Sequence, residues 1–316
     1  MTLLDFHPPQ TNTTFLTDLT SRVGNTPLLP LRRVTAALPP GVQVFAKAEW
    51  FNPSGSVKDR AAMNIIREAL ANGELGNGKR LLDSTSGNMG IAYATFGAAL
   101  GIPVTLVVPG NASPERIAIL RALGAELLLS DPLEGSDGAI RLARKMAAER
   151  PENYWYANQY DNPASWRAHY QSTGPEILAQ THERITHFVA GIGTSGTLVG
   201  TARFLREADP SIRILGFQPD NAFHGLEGLK HIPTAIKPGI YDPSVPDEIL
   251  EVETESAYEM VRRLAREEGL FVGISSGAAA VAVLRVAGEL NHGTVVTVFP
   301  DAGYKDLSDT ALWSGA

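Results

Sequence analysis

The sequence contains no cysteine, no long apolar run and no excess of basic residues. Without cysteine, disulfides, thiolate nucleophiles and cysteine-type zinc sites are excluded. No run of about 18 apolar residues occurs, and the first 20 residues lack the pattern of a signal peptide, so we expect a cytoplasmic protein with no membrane partner. A formal net charge of -7 gives no basic surface for nucleic acid. Small molecules are the expected partners.

The 316 residues suffice for two medium-sized lobes, and 44% hydrophobic content with 30 glycines is typical of an α/β protein. Short apolar runs alternate with longer amphipathic ones, as in residues 44–48 followed by 60–71. This alternation predicts two doubly wound lobes with mainly parallel sheets. We place an N-terminal lobe at 1–160 and a C-terminal lobe at 161–316, with the residues before about 45 able to pack on the other lobe.

Residues 220–252 are rich in Pro and Gly and show little periodicity. A loop of this length inside a compact domain is more often functional than idle. We therefore expect an irregular, functional loop here.

One of the seven lysines, Lys58, follows a Pro-Ser-Gly-Ser turn and precedes a predicted amphipathic helix. An ammonium at a helix N-terminus meets the positive end of the helix dipole, and partial burial also disfavours its charge. Both effects favour a nucleophilic amine. The alternative is a structural lysine that merely precedes Asp59, a favourable charge at a helix start.

Three glycine-containing and serine-containing segments follow predicted strands and open predicted helices. Residues 83–90 read Asp-Ser-Thr-Ser-Gly-Asn-Met-Gly, and four consecutive small polar residues exceed what one helix cap requires. Residues 273–278 place Ser275 and Ser276 at another such junction, where they also suit a simple cap. Backbone N–H groups and hydroxyls at a helix start form a natural carboxylate or phosphate site.

The third segment, residues 191–197, reads Gly-Ile-Gly-Thr-Ser-Gly-Thr and formally matches a dinucleotide fingerprint. That fingerprint requires an acidic residue about 20 positions later, at the end of the next strand. Here that strand ends in Gln218 and Pro219, so a nicotinamide dehydrogenase is disfavoured. The loop is better suited to a single phosphate monoester. His182, Glu183 and His187 miss the zincin spacing, and no metal site is predicted.

Taken together, these segments resemble the cysteine synthase family of fold-type II pyridoxal-phosphate enzymes, whose fold is like that of the tryptophan synthase β subunit. The resemblance runs from residues 24–28, Gly-Asn-Thr-Pro-Leu, to residues 300–303, Pro-Asp-Ala-Gly. It implies that Lys58 carries pyridoxal 5'-phosphate as an imine and acts as general base, that Asn88 meets the ring hydroxyl and that Ser275 meets the pyridine nitrogen. It assigns the cofactor phosphate to Gly193, Thr194, Ser195, Gly196 and Thr197, and the substrate carboxylate to Thr85, Ser86, Gly87, Asn88 and Gln159.

By the same resemblance the reaction would be β-replacement on O-acetyl-L-serine or O-phospho-L-serine with sulfide, giving L-cysteine. Lys230, in the loop at 225–241, could select an anionic side chain, or be an ordinary solvated lysine. The alternatives are cystathionine formation from serine and homocysteine, β-elimination to pyruvate, and a binding protein without catalysis. The family further suggests a homodimer, with a serine acetyltransferase or a sulfur-carrier protein as a partner.

Overall fold

A computed structural model describes residues 18–85 and 87–313 of the chain. It contains ten strands and ten α-helices in the described part, in a largely alternating order. The strands are β1 Leu28–Pro30, β2 Gly41–Ala48, β3 Arg80–Ser84, β4 Val104–Pro109, β5 Glu126–Ser130, β6 Tyr154–Tyr156, β7 His187–Gly191, β8 Arg213–Pro219, β9 Glu248–Val252 and β10 His292–Phe299. The helices are α1 Lys58–Ala71, α2 Asn88–Leu100, α3 Pro114–Ala122, α4 Gly135–Glu149, α5 Ala164–Ala168, α6 Gly174–Gln180, α7 Gly196–Ala208, α8 Thr254–Arg263, α9 Ile274–Gly288 and α10 Thr310–Trp313.

The strands form two separate sheets. A six-stranded sheet has the order β1-β2-β10-β7-β8-β9, and a four-stranded sheet has the order β5-β4-β3-β6. Every neighbouring pair is parallel except β1 with β2. This architecture confirms the predicted α/β class with mainly parallel sheets.

Both sheets are covered by helices on their two faces. Along β10, Val295 packs with the residues of α9, while Val296 packs with those of α7 on the opposite face. Along β3, Leu81 packs toward α1 and α2, and Leu82 packs toward α4. Because successive strand residues point to opposite faces, burial on both sides produces the continuous apolar runs seen in the sequence.

The strands β1 and β2 belong to the six-stranded sheet, although the sequence continues from them into the four-stranded one. The boundary at residue 160 stays a prediction. The stretch 220–252 is irregular over most of its length, but its last five residues form β9, an edge strand that the periodicity did not indicate. Among residues 18–85 and 87–313, no helix is both long enough and apolar enough to cross a membrane.

Candidate active site

A cleft of about 870 Å³ opens where strands of both sheets end. Its walls include residues that follow the carboxyl ends of β3, β7 and β10, the edge at which open α/β sheets bind ligands. Most residues predicted for the site line this cleft, namely Lys58, Thr85, Gly87, Asn88, Gln159, Gly193, Thr194, Ser195, Thr197, Lys230 and Ser275. Gly196 is not among the lining residues, and Ser86 lies outside the described residues.

Lys58 is the first residue of α1 and is partly buried. The turn before it is fixed to the chain after β10, because Val57 N donates to the Pro300 carbonyl at 2.8 Å and Ser56 forms an antiparallel bridge with Asp301. Burial lowers the pKa of Lys58; the carboxylate of Asp301 opposes this shift and the ammonium of Lys305 adds to it. The burial of Lys58 therefore raises the fraction of neutral amine at the cleft.

The backbone of the glycine-rich loop between β7 and α7 packs closely against the neighbouring loop at Gly228. A Cβ at Gly193 would lie 2.2 Å from the Gly228 carbonyl oxygen, so no other residue fits without moving the backbone. Ser195 adopts a left-handed conformation with φ of 72° at the start of the 13-residue α7. Its buried hydroxyl has no hydrogen-bond partner among the described residues. An unpaired hydroxyl beside free helix N–H groups fits a phosphate.

Thr197, in the first turn of α7, contacts a buried histidine that sequence reasoning did not single out. The Thr197 hydroxyl lies 3.3 Å from His169 Nε2, and His169 Nδ1 lies 2.9 Å from the Thr173 hydroxyl. Burial lowers the pKa of His169 to about 3, so its ring is neutral at physiological pH. His169 begins a five-residue π-helical segment, a local geometry common at functional sites.

The segment between β3 and α2 caps the start of α2 and also lines the cleft. The Thr85 hydroxyl oxygen accepts from Gly87 N and Gly90 N, each at 3.1 Å, so it caps the helix start. Gln159 is 2% exposed, and its Nε2 donates to the Ser84 carbonyl at 2.7 Å. Its backbone N donates to Asp83, which anchors it next to the Thr85 loop.

Asn88 is held by two residues that sequence reasoning did not assign to the site. Its Nδ2 donates to Asp301 Oδ2 at 2.7 Å, and its Oδ1 accepts from Lys305 Nζ at 2.7 Å. Both partners follow β10 and are buried. Ser275 lies in the first turn of α9 and also lines the cleft.

Lys230 lies in the cleft wall rather than in solvent, with 8% of its surface exposed. Its Nζ forms an ion pair with Asp137 Oδ1 at 3.3 Å and lies 5.1 Å from the centre of the Tyr160 ring. Any anionic substrate group would therefore compete with Asp137 for this ammonium. No group of three or more metal-ligating side chains occurs in the part of the chain that the structure describes.

Comparison with known proteins identifies the family. The family model described as pyridoxal-phosphate dependent enzyme matches residues 19–301. A cysteine synthase of Aquifex aeolicus is 52% identical over 297 residues, covering 92% of this chain and 90% of that protein. Cysteine synthase B of Escherichia coli is 43% identical over 293 residues, covering 93% and 95%.

A solved structure supports the same assignment at the level of the fold. The crystal structure of a cysteine synthase from Entamoeba histolytica matches with a TM-score of 0.89 at 34% identity, covering 99% of this chain and 94% of that one. This match confirms the expected fold-type II architecture. The chain belongs to the family of pyridoxal-phosphate-dependent enzymes.

Proposed function

We propose that this chain makes L-cysteine by replacing the β substituent of an activated L-serine with sulfide. The observation that carries the proposal is the meeting, in one cleft, of Lys58, the glycine loop at 193–197 and the Thr85 to Asn88 loop. Related proteins that cover most of the chain are named cysteine synthases, which supports the same reaction.

The residues of the cleft suit pyridoxal phosphate at both ends. The unpaired Ser195 hydroxyl and the tight approach at Gly193 suit its phosphate, and the amine of Lys58 suits its aldehyde. In this proposal the cofactor is held by Lys58, Asn88, Gly193, Thr194, Ser195, Gly196, Thr197 and Ser275. When bound, it acidifies the Cα–H bond of an amino acid by delocalising the developing negative charge.

Lys58 is the proposed general base. Burial lowers the pKa of its ammonium, which raises the fraction of free amine able to take the Cα proton at Nζ. The same Nζ then returns the proton to Cα after sulfide has added at Cβ. Ser275 lines the cleft and would offer only a neutral hydroxyl to the ring nitrogen of the cofactor, so the site would suit a reaction in which the leaving β substituent removes the charge from Cα.

The substrate carboxylate is assigned to Thr85, Ser86, Gly87, Asn88 and Gln159. Thr85 Oγ1 accepts two backbone N–H bonds and donates its own proton to the Gly87 carbonyl at 3.4 Å, so a ligand would take that proton only by replacing this long hydrogen bond. Gln159 uses one amide hydrogen on the Ser84 carbonyl, which fixes the side chain and keeps a second hydrogen for the carboxylate.

The leaving group is proposed to be acetate or phosphate. Lys230 is the cation assigned to phosphate, and its ion pair with Asp137 means that the phosphate of O-phospho-L-serine would share this ammonium with a carboxylate or displace it. O-acetyl-L-serine carries no such requirement. Its use is therefore expected to depend less on Lys230.

A homodimer in the cytoplasm, with a serine acetyltransferase or a sulfur-carrier protein as a partner, is also proposed from the family resemblance. Size-exclusion chromatography with light scattering tests the dimer. Mixing the chain with either candidate partner before the same measurement tests the complex, and unchanged masses would contradict it.

The experiment for the function offers purified protein O-acetyl-L-serine or O-phospho-L-serine together with sulfide, and quantifies L-cysteine by chromatography. Parallel reactions contain serine with homocysteine, or the activated serine alone. The proposal expects cysteine as the main product. Cystathionine as the main product would indicate condensation with homocysteine instead, and pyruvate as the main product would indicate β-elimination. No turnover of any substrate would favour a binding protein.

A further inference from the structure

Lys305 is a buried cation next to the cofactor lysine that the proposed reaction does not use. It ends the turn Gly303–Lys305 after β10, and only 7% of its surface is exposed. Its Nζ donates to Asn88 Oδ1 at 2.7 Å and to the Gly55 carbonyl at 3.3 Å. One ammonium thus joins the start of α2 to the turn that precedes Lys58.

The partners of Asn88 determine which way its amide points. A protonated amine can only donate and an ionised carboxylate can only accept, so Lys305 must face Oδ1 and Asp301 must face Nδ2. A flipped amide would place two donors together and two acceptors together. One of the two Nδ2 hydrogens is used on Asp301, and the other stays available to a ligand.

The carboxyl groups near Lys305 favour its ammonium form, against the larger effect of burial. Burial lowers its pKa, and the carboxyl groups of Asp301, Asp59 and Asp306 oppose this shift, while Arg116 adds to it. Burial also raises the pKa of Asp59 to about 6 and that of Asp306 to about 7. A hydrophobic side chain at 305 would remove the donor that faces Asn88 without supplying another.

We propose that Lys305 is a positioning residue that, together with Asp301, fixes the amide of Asn88 so that its free N–H faces the ring hydroxyl of the cofactor. The proposal rests on the proposed function. It concerns a residue that acts through Asn88, and it predicts that the effect of changing Lys305 disappears when Asn88 has lost its amide.

The test compares Lys305→Met with the parent and with Lys145→Met, a substitution at an exposed lysine on α4. Holoenzyme is subjected to repeated ultrafiltration, and the release of pyridoxal phosphate and the position of the visible band are recorded. Loss of one oriented hydrogen bond is expected to speed release about tenfold and to shift the band. Lys145→Met should match the parent, and Lys305→Arg should restore most of the retention.

A double-mutant cycle separates positioning from a general loss of packing. In the Asn88→Ala background, Lys305→Met should add little to cofactor release, because the group it orients is absent. Full additivity, or a parent-like band and release rate in Lys305→Met, overturns the proposal.

If Lys305→Met does not fold, the proposal is tested with Lys305→Gln, whose side chain is shorter and neutral. Because this variant loses a charged donor, it should release pyridoxal phosphate at least about threefold faster than the parent. Parent-like release in Lys305→Gln would then overturn the proposal. A parent protein that shows no visible band and makes no cysteine would instead overturn the proposed function, so the two failures are distinguishable.

Discussion

The first turn of α1 places two ionisable side chains next to each other, and burial shifts both toward their neutral forms. Burial lowers the pKa of Lys58, and burial raises the pKa of Asp59 to about 6. Asp59 remains anchored because it accepts from the backbone N of Ser54 at 2.6 Å and from the Ser54 hydroxyl. Asp59 therefore fixes the turn that presents the Lys58 amine to the cleft.

A third buried group, Asp83, gives a pH-dependent prediction. Burial raises its pKa from 3.8 to about 7, so the folded chain holds a proton that the unfolded chain releases over this range. The contribution of Asp83 to the free energy of unfolding is present at low pH and is lost as the pH rises toward 7. Its slope reaches at most about 1.4 kcal/mol per pH unit.

The melting temperature of the parent should fall as the pH rises from about 5 to 8, and that of Asp83→Asn should fall less. Circular dichroism at a series of pH values across this range measures both. Glu152→Gln, at an exposed position, is the control and should reproduce the slope of the parent. Parallel curves for parent and Asp83→Asn would show that Asp83 does not titrate as described.

At the scale of elements, α1 is held in place by a buried ionic network. Arg60 on α1 pairs with Glu49 at 2.7 Å and with Glu176 at 2.7 Å. Lys47 on β2 pairs with Glu176 at 2.6 Å. Glu49 is fully buried, so it depends on these partners for its charge. The network joins α1, which begins at Lys58, to β2 and α6.

Arg60→Leu is expected to lower the free energy of unfolding by about 3–5 kcal/mol, because it leaves Glu49 buried without its cation. Arg67→Leu, on the exposed face of the same helix, should change it by less than about 0.5 kcal/mol. Urea unfolding followed by circular dichroism measures both. Equal effects of the two substitutions would contradict the role of the network.

The strands that were predicted and those that were not differ in burial. The central strands β3, β4, β7 and β10 are buried over most of their length and appear in the sequence as mainly apolar runs. The edge strand β9 has four of its five residues at least partly exposed, so no such run marks it. Apolar runs therefore predicted the interior of the sheets better than their edges.

The site shows a similar division. Asn88 and Ser195 stand at strand-to-helix junctions and Lys58 follows a turn at a helix start, so each has a local sequence signal, and all three line the cleft. Asp301 and Lys305 were not assigned, because their contact with Asn88 joins positions 213 and 217 apart. Only the fold, which brings the end of β10 beside the start of α2, makes them part of the site.

At the scale of the whole molecule, two ion pairs link the loop between β8 and β9 to helices of the four-stranded sheet. Lys230 pairs with Asp137 on α4, and Glu227 pairs with Arg116 on α3. Asp137 also accepts from the backbone N of Ile236 at 3.2 Å. These contacts hold the loop that carries Lys230 across the cleft.

Asp137→Asn should raise the ratio of kcat/KM for O-phospho-L-serine to that for O-acetyl-L-serine, because the Lys230 ammonium loses its competing carboxylate. Lys230→Met should lower the ratio, and we expect about a fivefold to tenfold change in each direction. Steady-state assays with sulfide give both values. An unchanged ratio in both variants would remove Lys230 from substrate selection.

The central claim, that Lys58 is both the cofactor anchor and the general base, is tested most directly by comparing parent protein with Lys58→Ala. The parent should show a visible band near about 410 nm and form L-cysteine from O-acetyl-L-serine and sulfide. Lys58→Ala should lack that band, and its rate of cysteine formation should be at least about a thousandfold lower. A variant that keeps the band and makes cysteine at the parent rate would contradict the account.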